Sequence, residues 1–185
     1  MNTRKFIPQD ETKKYIEDHI NLIEEEDFDL LYGLCEGESI ARRDITDILL
    51  ASGINPLHYM DYVPHSFARG CRRSMDGFII PEGIKEIEGY AFSGTDIKSI
   101  IVPEGVTTIR RGAFSNCPEL HTIWLPKSLG TIYEMVFNGS NNVTIYYNGT
   151  CDMWNQVYLK NKWKGLNDDH TINIACVDHI IIDKV

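Results

Sequence analysis

Ile100-Ile-Val-Pro103-Glu-Gly-Val106-Thr-Thr-Ile109 has a copy on each side. Upstream stands Phe78-Ile-Ile-Pro81-Glu-Gly-Ile84-Lys-Glu-Ile87, and downstream Ile123-Trp-Leu-Pro126-Lys-Ser-Leu129-Gly-Thr-Ile132. The prolines recur after 22 and then 23 residues. Ala91-Phe92, Ala113-Phe114 and Val136-Phe137 follow in the same phase, and the pairs Ile97/Ile100 and Leu120/Ile123 precede. Val143/Ile145 is a version shortened by one residue. A coil of this length is too small to bury its own apolar side. Stacking it on the next coil makes one continuous core. The β-branched runs predict short strands that pair from coil to coil. The Phe of each coil is read as an internal plug, with Ala91 and Ala113 small so that backbones approach closely. Proline ends each strand by removing a donor and turning the chain.

These residues resemble the BspA-type (Treponema-like) leucine-rich repeats. The resemblance covers Phe78 to about Tyr147, and Pro64, Phe67 and Cys71 look like a degenerate first coil. Thr95 stands where Cys117 sits one coil later, and Val136 replaces the alanine. Tyr147-Asn-Gly-Thr150, Trp154 and Cys176-Val-Asp178 are similar to the closing element that often follows such repeats. The resemblance implies a non-catalytic adhesion or interaction protein. The expected fold is α+β. Residues 1–61 form an acidic, all-helical N-terminal cap. Residues 62–150 form the leucine-rich-repeat solenoid of short stacked strands, and 151–185 a helix-plus-hairpin C-terminal cap. In that C-terminal cap, Asp152 is expected to open a helix running to about Lys160, with Trp154 and Val157 folded onto the last coil. Asp178-His179 is read as a hairpin turn.

The acidic excess is concentrated at one end. Of a net charge of -9, residues 1–40 hold eleven acids against four bases. Tyr15, Ile16, Ile20 and Ile23 keep helical spacing behind Asp10, and Asp27 opens a second helix. Glu24, Glu25, Glu26, Asp27 and Asp29 give these helices an anionic face that repels phosphates and suits a basic partner. Ile45, Ile48, Leu49 and Leu50 mark a third helix stopped by Gly53, and Asn55-Pro56 starts a new turn. The stretch from Ile45 to Tyr62 has the outline of a helix-turn-helix. Its second half, Leu57-His-Tyr-Met-Asp-Tyr62, has no arginine or lysine for bases or phosphates, so direct nucleic-acid binding is not expected.

No nucleotide-binding glycine pattern, H-E-x-x-H, G-x-S-x-G or acidic metal loop occurs, and no catalytic residue, cofactor or metal is expected. His58 and His65 lack ligands at useful spacing apart from Asp61. Cys35, Cys71, Cys117, Cys151 and Cys176 lie far apart, with no C-x-x-C pair, and are read as reduced thiols in a cytoplasmic protein of bacterial or phage origin. Met1 to Tyr15 contains no apolar leader core, and no stretch approaches the ~20 apolar residues that span a bilayer.

Strand side chains alternate, so the residue between two inward ones points outward. Those positions are Ile79, Ile101, Trp124 and Tyr146, with Lys98 and His121 as polar neighbours. They predict an exposed apolar ladder on one sheet, suited to another protein. The N-terminal helices or a second copy of the chain are the alternative occupants. Two further functional readings stand beside this one. One is a phage-type inhibitor whose acidic helices imitate DNA. The other is a surface adhesin.

Overall fold

In a computed structural model of the chain, the described residues are 39–51, 53–71, 74–140, 142–165, 172–178 and 180–182. The two predicted acidic helices, with Glu24, Glu25, Glu26, Asp27 and Asp29, lie outside them. So do Arg72, Arg73, His170 and His179.

The repeat region forms the expected solenoid of short stacked strands, arranged as two sheets. Helix α1 (Ser39–Ala51) is followed by a short 3-10 turn, Pro56–Tyr59. The first sheet stacks β1 (Tyr62–Val63), β2 (Glu86–Ile87), β4 (Thr108–Ile109), β6 (Thr131–Ile132) and β8 (Tyr158–Leu159), all parallel. The second stacks β3 (Ser99–Ile101), β5 (Thr122–Leu125), β7 (Thr144–Tyr147) and β9 (Asn173–Cys176) in parallel, and β10 (Ile180–Ile182) closes it antiparallel. The repeats from Ile100 and Ile123 therefore contribute twice, the Ile-x-Leu/Val segment to the longer-stranded sheet and the Thr-Ile pair after proline to the shorter one. The repeat from Phe78 contributes only Glu86–Ile87.

Between the sheets lies the predicted row of plugs. Phe67, Phe92, Phe114 and Phe137 are fully buried. Phe92 and Phe114 stack with centroids 5.5 Å apart and planes 2° from parallel, and Phe114 and Phe137 follow at 6.2 Å and 12°. Such pairs add about 0.5–1.5 kcal/mol to the burial of their area. Backbone bonds keep the plugs in register: the Phe92 amide donates to Ala113 O at 2.8 Å, and that of Phe114 to Val136 O at 3.0 Å. Ala91, Ala113 and Val136 are buried beside them. The residue two before Phe92, Phe114 and Phe137 is left-handed: Tyr90, Gly112 and Met135, with φ of 56°, 63° and 56°. Glycine is needed at the middle one. A Cβ on Gly112 would sit 2.5 Å from the Tyr90 ring.

The family's cysteine position is explained by one carbonyl. Cys117 Sγ donates to Phe92 O at 3.1 Å, and Ser140 Oγ makes the same bond one coil later, to Phe114 O at 2.8 Å. Thr95 Oγ1 also donates to Phe92 O, at 2.8 Å. Serine therefore replaces cysteine with the same bond to the preceding coil, whereas Thr95 bonds the Phe92 carbonyl of its own coil. Burial pushes the Cys117 thiol pKa up, which keeps it protonated and donating.

The helix over 39–51 behaves as a lid on the first coil. Ile45 and Leu49 are buried, and Thr46 Oγ1 donates to Phe67 O at 2.6 Å. Gly53, at φ 80°, terminates it, and the Ile54 amide returns to Leu49 O at 2.9 Å. Asn55 caps the next turn through Leu57 N–H at 3.1 Å. That turn is four residues of 3-10 helix, too short for a recognition helix.

At the other end the predicted helix is much shorter. Thr150, not Asp152, is the cap, accepting from Met153 N–H at 3.3 Å, and α2 (Cys151–Trp154) ends before Val157. Trp154 and Val157 do fold inward. The chain beyond them returns to the ladder as β8, and Trp163 packs edge-on against Phe137 at 6.1 Å.

One carboxylate staples an irregular segment to the next coil. Asp96 accepts from Ser74 Oγ at 2.6 Å and from Met75 N–H at 2.7 Å, holding buried Met75 in place. The Ser74 hydroxyl, first among the causes, keeps the Asp96 carboxyl below its ordinary 3.8, in opposition to partial burial. A depressed folded-state value means stabilisation that is complete above 3.8 and lost as pH falls through the folded value. Asp96→Ala should therefore lower the urea midpoint at neutral pH, and the difference from wild type should shrink in strong acid. A gap of equal size at both pH values would show that the carboxylate charge contributes nothing.

Candidate interaction surface

Strands β5 and β7 repeat one pattern of exposure, half-buried, buried, exposed, buried. The exposed position is Trp124 in β5 and Tyr146 in β7, aligned in register with Ile101 of β3. Ile101, Trp124 and Tyr146 keep 64%, 40% and 43% of their surface in contact with solvent. Trp124 and Tyr146 stack on each other at 5.6 Å with planes 17° apart, so the aromatic pair is pre-ordered on a rigid sheet. Side chains so fixed lose little entropy when a partner covers them.

Beside the ladder runs an open groove of about 630 Å³. Its walls include Ile101, Trp124 and Tyr146, with Pro103, Pro126 and Val177 continuing the apolar lining. Two acids stand at its edge, Glu82 and Glu104. Glu104 is held in place by Asn148 Nδ2 at 2.9 Å and the Lys127 amide at 3.3 Å. Tyr147 closes the floor, packing edge-on against Trp154 at 5.2 Å, and burial pushes its phenol pKa up.

Three of the expected binding residues thus meet in one place, and three do not. Ile79 is 74% exposed, but it belongs to no strand and does not line the groove; its carbonyl accepts from Asn55 Nδ2. Lys98 pairs with Asp76 at 3.1 Å, and the His121 ring bonds Thr122 Oγ1 at 2.9 Å. Both sit at the leading ends of the strands, away from the groove. Glu82, Glu104 and Val177 went unread in the sequence. The Pro-Glu-Gly shared by residues 81–83 and 103–105 was the available signal for the two acids. Nothing local pointed to Val177, which is brought there by β9.

On the opposite sheet, charges and rings alternate. Arg110 pairs with Glu86 and lies over Tyr133, and Lys160 lies near the rings of Tyr133 and Tyr158. These are solvated contacts of low energy. Among the described residues no helix is long and apolar enough to cross a membrane.

Residues 64–164, more than half of the chain, match the BspA type leucine rich repeat region in six copies. The chain belongs to this family. The match extends to the coil that carries Trp163, consistent with β8 adding a rung. No curated protein matches the chain. Among solved structures, the pneumococcal vaccine antigen PcpA aligns at 22% identity with a TM-score of 0.38. The alignment covers 52% of this chain and 30% of that one.

Proposed function

We propose that this BspA-type repeat protein is a non-catalytic interaction module. It holds an extended apolar segment of another protein along Ile101, Trp124 and Tyr146, with a basic side chain of that segment meeting Glu82 and Glu104. The observation that carries this is the stacked Trp124–Tyr146 pair, left exposed beside an apolar groove. The core is already filled by the Phe row, so these outward rings contribute nothing to it. Tryptophan and tyrosine at the centre of a contact typically supply 2 kcal/mol or more, roughly a 30-fold change in affinity.

A displayed peptide library selected on the immobilised chain tests the reading. Enriched peptides should alternate large apolar residues with polar ones and carry a lysine or arginine. Trp124→Asp should weaken their binding by more than about 30-fold, with an unchanged circular dichroism spectrum. Peptides that bind Trp124→Asp as well as wild type would remove the ladder as the binding face. Self-association that is lost in the same variant would make a second copy of the chain the occupant.

A further inference from the structure

We propose that Cys151, Cys176 and Asp178 form a binding site for a thiophilic divalent cation of the Zn2+ class. The two cysteines are 25 residues apart in sequence, and nothing in their spacing announces a pair. The fold brings them together. Cys151 opens α2 behind the Thr150 cap, while Cys176 is the last residue of β9, aligned with Tyr147. The Val177 amide donates to Gly149 O at 3.1 Å, and the Cys151 amide donates to Asp178 Oδ1 at 2.9 Å. Glycine at 149 lets the Tyr147 ring lie close against the backbone here. A Cβ there would lie 2.6 Å from the Tyr147 ring.

The two Sγ atoms and a carboxylate oxygen all lie within 4.8 Å of one another. Ligands of a tetrahedral Zn2+ are roughly 3.5–3.8 Å apart at ordinary bond lengths, so a small contraction closes the triangle. Thiolates select soft or borderline cations over Mg2+ and Ca2+. Three protein ligands leave one position open. Cys176 also lines the groove, which has room for water there. Binding is a proton exchange. Each thiol loses its proton to solvent as its sulfur–metal bond forms, and no electron is transferred. Affinity should accordingly rise with pH by about tenfold per unit for each proton released. The site is independent of the peptide-binding reading, since it needs no partner.

Cobalt titration of the full-length, phosphine-reduced chain tests the site. One Co2+ per chain should produce thiolate-to-metal absorption in the near ultraviolet and the intense visible bands of a four-coordinate ion. Zn2+ should bleach both. Replacing Cys35, Cys71 and Cys117 together by alanine should preserve them, and Cys151→Ala with Cys176→Ala should abolish them. Asp178→Asn keeps the shape of an exposed residue and should cost more than about tenfold in affinity, a minimum set by what outer-sphere groups contribute. A weak six-coordinate spectrum from wild type, or bands that survive loss of both cysteines, would overturn the site. Should the cysteine variants fail to fold, unchanged affinity in Asp178→Asn would do the same.

Discussion

Phe114→Ala is expected to be among the most damaging single substitutions in the chain, lowering stability by about 3–5 kcal/mol. The ring is fully buried and central in the row, with Phe92 stacked on one side and Phe137 on the other. Its loss forfeits burial of a large apolar surface and two aromatic contacts, and leaves a cavity between the neighbouring rings. The surroundings cannot collapse into that cavity. The backbones of neighbouring coils are fixed by the Phe92 and Phe114 amide bonds, and both sheets hold their rungs in register. At about 2–4 °C per kcal/mol for a domain of this size, the melting temperature should fall by roughly 10 °C. Thermal melts followed by far-ultraviolet dichroism would measure it. A shift of a degree or two would mean that the row of rings is decoration rather than core. Phe114→Leu, which keeps much of the volume, should recover a large part of the loss.

The sequence disclosed the plugs because their spacing is nearly constant. It concealed what breaks phase. Thr108 and Thr131 are 23 residues apart, but Thr131 and its next partner Tyr158 are 27 apart, because α2 is inserted between them. In the other sheet Thr144 pairs with Asn173, 29 residues on. A repeat search at fixed period loses both rungs and reads the segment as a separate cap. The shorter sheet was missed for another reason. Two-residue strands such as Glu86–Ile87 carry no alternation to detect, and only stacking makes them strands. Of the candidate surface, Ile101, Trp124 and Tyr146 were legible from alternation alone. Ile79 followed the same rule, yet no strand forms there, so the rule had no pleat to act on. The cysteine pair was illegible for the same reason as β9: both depend on a return path whose length no motif specifies.

That return path supplies the second large effect. Trp163→Ala should also remove about 3–5 kcal/mol of local packing, but the loss should be felt at one end. Trp163 meets Phe137 at 6.1 Å and Trp154 at 6.2 Å, and the Val136 amide donates to its carbonyl at 2.8 Å. Through Trp154 it also supports Tyr147 and the floor of the groove. In a solenoid each coil touches only its neighbours, so stability is close to a sum of terms along the axis. A terminal coil that loses most of its interface can unzip while the interior stays folded, whereas a central loss must be borne by the whole. Hydrogen exchange separates these outcomes. In Trp163→Ala the amides of Tyr158 and Lys160, bonded to Gly130 and Ile132, should lose protection, while those of Thr107 and Arg110 keep it. The drop in global melting temperature should be smaller than for Phe114→Ala. Uniform loss of protection across both regions would instead make residues 62–165 a single cooperative block, and the last coil as much a part of the core as the first.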